Sequence, residues 1–136
     1  MKITVDTNVL ISATFWAGAS DRIISMVEAK TIQLVLSEEI IKEYVGVLEY
    51  EEIKDKIRDK NLVMRRTVSK IISLSTIIEP TKKFSVVQDD PDDNKILEAA
   101  VAGGVDFIVS NDKHLLNLQE FENILIVSPD DFIKLS

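Results

Sequence analysis

The feature that most constrains this chain is an alternation. Five short, almost continuously apolar runs, "KITV" (2–5), "TIQLVL" (31–36), "TII" (76–78), "VDFIV" (105–109) and "ILIV" (124–127), are separated by longer stretches with helical periodicity. Runs apolar throughout, rather than alternating with polar residues, are the pattern of parallel strands covered on both faces. Parallel strands need crossover connections, which helices usually supply. The expected fold is α/β: a three-layer α/β/α sandwich around a mostly parallel sheet, with right-handed crossovers.

Local signals divide the helical stretches. Ser20 or Asp21 is placed to cap a helix running to about Lys30. Ser37 is placed to cap the next, with Glu38 and Glu39 in the first turn, where the helix dipole favours them. Residues 51–75 read as two helices broken near "DKN" (59–61). "PDDNKILEAAVA" (91–102) reads as a helix stopped by Gly103-Gly104, and "SPDDFIKL" (128–135) as a last helix with Pro129 at its first position. There is no internal repeat, low-complexity tract or linker, so residues 1–136 are expected to form one domain.

Composition narrows the chemistry. No apolar run approaches the ~20 residues of a membrane helix, and "MKITVD" lacks a signal-peptide core, so a cytoplasmic protein with no membrane partner is expected. With no cysteine there is neither disulfide nor thiolate metal site. The single histidine, His114, cannot build an imidazole metal site by itself and reads as a surface or capping residue. What chemistry there is must rest on carboxylates.

The net charge of −7 argues at first against a nucleic-acid partner. Residues 54–70, however, hold seven basic and two acidic residues, a local +5, leaving −12 on the rest. That segment reads either as a partner-facing patch or as a solvated helix face.

In a sheet of this class, ligands bind beyond the carboxyl ends of the strands, near the point where strand order reverses. Asp6 directly follows the first apolar run, with Thr7 and Asn8 after it; "DTN" is also good turn and cap chemistry. "VQDDPDDN" (87–94) packs four aspartates into five positions. With Asp90 as N-cap and Pro91 first in the helix, Asp93 shares a face with Ile96, Leu97, Ala100 and Val101, so Asp93 is the aspartate aimed at the core. Asp90 as a cap and Asp92 beside the helix dipole have structural explanations. In "IVSND" (108–112), Ser110 follows the fourth run and Asp112 comes two residues later, a pattern that also caps helices. Glu43 lies at the same edge, flanking the stripe Ile40, Ile41, Tyr44, Val45 and Leu48, though periodicity does not set it apart from Glu38 or Glu39. Unpaired carboxylates this close destabilise one another, whereas an oxygen-rich acidic cluster suits Mg²⁺ or Mn²⁺.

These residues resemble the PIN domain, a metal-dependent ribonuclease fold, and most closely its small prokaryotic VapC-like toxins. The likeness is carried over nearly the whole chain by "VDTNVLIS" (5–12), "LSEEIIKEYVGVL" (36–48) and "DDPDDNKILEAAVAGGVDFIVSNDKHLL" (89–116). It implies a five-stranded parallel sheet of order 3-2-1-4-5. It places Asp6, Glu43, Asp93 and Asp112 at the family's acidic, metal-holding positions, and Asn8 and Ser110 at its supporting polar ones; Asn111 stands where a glycine is frequent. The implied activity is hydrolysis of single-stranded RNA by one or two Mg²⁺ or Mn²⁺ ions, which lower the pKa of a bound water for in-line attack on phosphorus. Asp6 and Asp93 would be primary ligands, with Asp112 and Glu43 holding a second metal or orienting waters. Arg58, Arg65 and Arg66 of the basic segment are candidates for guiding the RNA backbone. An antitoxin protein and a homodimeric state are further expectations of the resemblance.

Three other readings compete. The first is a non-catalytic PIN-like module that binds RNA or protein without cleaving anything. A haloacid-dehalogenase phosphatase needs a second aspartate two residues after the first, where this chain has Asn8. A response-regulator receiver needs an aspartate after the third strand, where "TIIEPTKK" offers only Glu79.

Overall fold

The computed structural model describes residues 1–48, 61–87 and 93–136. The expected helix break at 59–61 falls largely outside them, as do Asp89, Asp90, Pro91 and Asp92. The described strands are β1 (Lys2–Val5), β2 (Gln33–Ser37), β3 (Thr76–Ile78), β4 (Phe107–Val109), β5 (Glu120–Phe121) and β6 (Ile124–Val127). The described helices are α1 (Thr7–Phe15), α2 (Ala19–Glu28), α3 (Glu38–Leu48), α4 (Asn61–Leu74), α5 (Asn94–Gly103), α6 (Lys113–Leu116) and α7 (Pro129–Leu135).

The sheet order is β3-β2-β1-β4-β6-β5, and every pairing is parallel except β5 with β6. The five expected strands keep the expected order 3-2-1-4-5, as β3-β2-β1-β4-β6. The sheet has a sixth strand, β5, where five were expected. It exists because Glu122 and Asn123 both take positive φ (48° and 69°) and make a two-residue hairpin turn. A glutamate rarely adopts that conformation, so the sequence carried little sign of the turn.

The order in which successive strands are added reverses between β1 and β4, which run parallel. With right-handed crossovers, α5 lies on the face opposite α1 and α2; it packs against β1, β2, β3 and β4, while α1 packs on α2 and α3, and α7 on α2. Ile3, Leu36, Ile40, Leu97 and Ile108 are fully buried between the layers.

Two local features fix the packing around β2. Pairing of β1 with β2 ends at Ile3 and Leu34, after which the Thr4 hydroxyl donates to the Val35 carbonyl (2.6 Å). At the far end of α5, Gly103 lies against β2, where a methyl group would sit 2.5 Å from Val35 Cγ1. Gly104 then closes the helix in the left-handed conformation (φ 61°).

Helix signals held unevenly. Ser37 caps α3 by accepting from the Ile40 amide (3.2 Å), and Ser128 caps α7 by accepting from Asp131 (3.1 Å). The second helix starts at Ala19 behind Gly18, not at a Ser20 or Asp21 cap; Ser20 is buried inside the first turn. Helix α1 was not anticipated at all. Its sequence "TNVLISATF" is rich in β-branched residues that favour strand. Burial of Thr7, Val9, Leu10, Ile11 and Ala13, together with the Asp6 cap, overrides that preference.

Candidate functional site

The carboxyl ends of β1 and β4 lie side by side, and the Asp6 amide donates to the Val109 carbonyl (3.2 Å). Asp6 is the N-cap of α1: Oδ1 accepts from the Val9 amide (2.9 Å), and Oδ2 accepts from the Ser110 hydroxyl. The structural and functional readings of Asp6 are therefore not exclusive. The same oxygens that start the helix keep lone pairs directed at the sheet edge.

Ser110, fully buried, ties three segments together. Its hydroxyl donates to Asp6 and accepts from the Asp112 amide (2.9 Å). Asp112 in turn caps α6, its Oδ1 accepting from the His114 amide (2.7 Å). The Ser-x-Asp element is thus a cap, as its pattern allows, and it also brings a carboxylate beside Asp6.

Asp93 sits immediately before α5 and is 9% exposed, in keeping with its expected inward aim. The next residue holds it there. Asn94 Oδ1 accepts from the Val87 amide (2.9 Å) and Nδ2 donates to the Val87 carbonyl (3.0 Å), a side chain standing in for a strand neighbour. One turn on, the buried Glu98 accepts from the Phe84 amide (2.9 Å). The segment leading to Asp93 is clamped at two points.

Together Asp6, Thr7, Asn8, Glu43, Asp93, Lys95, Ile96 and Asp112 line a cavity of about 110 Å³. All four expected acids and Asn8 are therefore around one space, with Ser110 behind Asp6. Beside it, ligand atoms of Asp93, Asp112 and His114 all lie within 4.8 Å of one another, His114 standing outside the cavity lining; Asp6 and Glu43 are not in that closer group. Arg66 is exposed on α4, which packs on α1 and α2. Arg58 and the side chain of Arg65 fall outside the described residues.

The electrostatics are strained in a way a cation would relieve. Burial pushes the Asp6 carboxyl above its ordinary range; the Ser110 hydroxyl and Val9 amide oppose this, and the charge of Asp112 adds to it. Thr7 Oγ1 is buried with no hydrogen-bond partner among the described residues. Buried hydroxyls are normally satisfied. An oxygen-lined, anionic pocket with an orphaned hydroxyl fits a hard divalent ion such as Mg²⁺ or Mn²⁺.

Sequence reading missed two residues. Lys95 forms an ion pair with Glu43 and is largely buried, its side chain 16% exposed. A lysine in the first turn of a helix opposes the dipole, and that mismatch was the available signal. Asn94 offered none beyond being an amide at a helix start. Lys95 also reaches a neighbouring groove of about 490 Å³, lined by Lys42, Lys83 and Phe84 among others.

Comparison with known proteins places this site in a family. The PIN domain model matches residues 2–114. The chain belongs to the PIN domain family. PIN domains are generally nucleases that use divalent metals, and an acidic cluster is present here. The crystal structure of PAE2754 from Pyrobaculum aerophilum shares the PIN fold at 15% identity, covering 99% of this chain and 89% of that one with a TM-score of 0.63. That of VapBC2 from Rickettsia felis, bound to a DNA fragment from their promoter, matches at 15% identity over 93% and 97%, with a TM-score of 0.60. No curated protein sequence matches significantly. Among the described residues no helix is long and apolar enough to cross a membrane.

Proposed function

We propose that this PIN domain is an endoribonuclease that hydrolyses phosphodiester bonds of single-stranded RNA with Mg²⁺ or Mn²⁺. The observation that carries the reading is the convergence of Asp6, Glu43, Asp93 and Asp112, from four chain segments, on one small cavity at the reversal point of the sheet.

The residues divide the work. Asp6, Asp93 and Asp112 would hold the metal, with Glu43 beside them. When bound, the metal supplies an activated water and neutralises charge on the leaving 3′ oxygen. Ser110 fixes the Asp6 carboxylate and the Asp112 backbone together, so that two ligands share one support. Asn94 and Glu98 fix the segment that presents Asp93. Lys95 projects a cation at the boundary between the acidic cavity and the open groove, where a phosphate flanking the scissile bond would pass. The basic segment 54–70, through Arg58, Arg65 and Arg66, would guide the backbone further out; its local +5 supports that role.

The fold shared with VapBC2 supports a toxin role with an antitoxin protein as partner, and a homodimer is the working form proposed with it. The test is cleavage of end-labelled single-stranded RNA with Mn²⁺, Mg²⁺ or EDTA, for the native chain and Asp93→Asn. Metal-dependent products absent from the variant are expected. Products that persist in Asp93→Asn would remove the site, and no cleavage of diverse RNAs under any metal would leave a binding module instead.

A further inference from the structure

We propose that His114 is a ligand of the divalent cation, so that an imidazole nitrogen joins the Asp93 and Asp112 carboxylates in its donor set. The proposal rests on the metal-site reading above and departs from an all-oxygen site.

The geometry comes from one short element. Asp112 caps α6 and His114 is its second residue, so the capping bond from the His114 amide to Asp112 Oδ1 (2.7 Å) fixes both residues on the same turn. The imidazole is thereby brought back over the carboxylate, with Nδ1 3.4 Å from Oδ1. Asp93 reaches the same point from α5, and the ligand atoms of all three lie within 4.8 Å of one another. Atoms sharing one coordination sphere need a separation of that order, since each lies about 2.0–2.2 Å from the ion. Two carboxylates that close, Asp93 and Asp112, repel each other, and a cation between them would relieve that repulsion. The second indication is Thr7, which is 4% exposed and lines the cavity that Asp93 and Asp112 also line, and whose buried hydroxyl lacks a partner among the described residues. Imidazole is a poor partner for Mg²⁺ and a better one for transition metals. The site should therefore prefer Mn²⁺ over Mg²⁺ more strongly than carboxylates alone would.

The chain contains a single histidine, which makes the test unambiguous. Pulsed electron paramagnetic resonance of the Mn²⁺-loaded native protein should show coupling to one directly bound ¹⁴N nucleus, and His114→Gln should lose it. Calorimetric titration should show Mn²⁺ binding weakened about tenfold in His114→Gln, with Mg²⁺ binding changed much less. Bound Mn²⁺ without nitrogen coupling would overturn the proposal while leaving the carboxylate site intact. Failure to bind either ion would overturn both this and the nuclease reading. Because the decisive spectrum is taken on the native chain, it does not depend on the variant folding.

Discussion

Lys95 neutralises Glu43 inside the acidic cavity: their side chains, 16% and 33% exposed, form an ion pair between α5 and α3. The pair lowers the anionic field felt by a cation at Asp93 and Asp112. Lys95→Met should therefore bind Mn²⁺ more tightly, by about fivefold for a unit charge removed at this range, while losing RNA affinity. Calorimetry with Mn²⁺ and an RNA-binding assay in EDTA would separate the two effects. Unchanged affinity for both would mean that the pair serves only to join the helices.

Asp6 holds a carboxylate whose ionised form is disfavoured by burial. Asp6→Asn keeps an acceptor for the Val9 amide and removes the charge. In EDTA the variant should melt a few degrees above the native chain, the usual stability gain when a functional charge is removed. Native protein should in turn gain stability from Mn²⁺, about 2.7 kcal/mol at a hundredfold excess over Kd, and the variant should gain far less. Thermal melts with and without metal measure both.

Asn94→Ala removes two hydrogen bonds to Val87 and leaves that backbone without its side-chain partner. A cost of about 1–3 kcal/mol is expected, concentrated in the segment before Asp93. Hydrogen exchange should accelerate at the Val87 amide while the amides of β1 and β4 stay protected. Uniform acceleration would show that the clamp supports the whole fold instead.

Tyr44 is fully buried, with Oη 2.6 Å from Thr14 Oγ1. Burial pushes its phenol from 10.0 up to about 12, opposed by the Thr14 bond. The folded state thus holds the proton more tightly than the unfolded one. Stability from this group is complete below pH ~10 and is lost as pH rises through about 12, at no more than about 1.4 kcal/mol per unit. Urea unfolding between those limits should show the decline, and Tyr44→Phe should flatten it.

The sheet was legible because strands covered on both faces leave unbroken apolar runs, and the edge positions of Asp6, Ser110 and Asp112 follow from where those runs stop. Asp93 was legible because an acid stood at the head of an apolar stripe. What escaped depended on approach between distant segments. Nothing local in "DNK" says that α3 will bring Glu43 to Lys95. Propensity alone misassigns α1, whose β-branched residues become helical under an aspartate cap and near-complete burial. His114 was read as a surface or capping residue because one histidine makes no site by itself; nothing local says that Asp93, from another segment, will come within 4.8 Å of it and of Asp112.

The absent side chain at Gly103 has a reach beyond its own contact. With α5 about 15 Å long and Asp93 at its opposite end, the helix behaves as a bar whose height above β2 is gauged at position 103. Even one added carbon would lift the near end and swing the far one. The tolerance of the acidic cavity, and of any metal it holds, is thus machined at a place that lines no part of it.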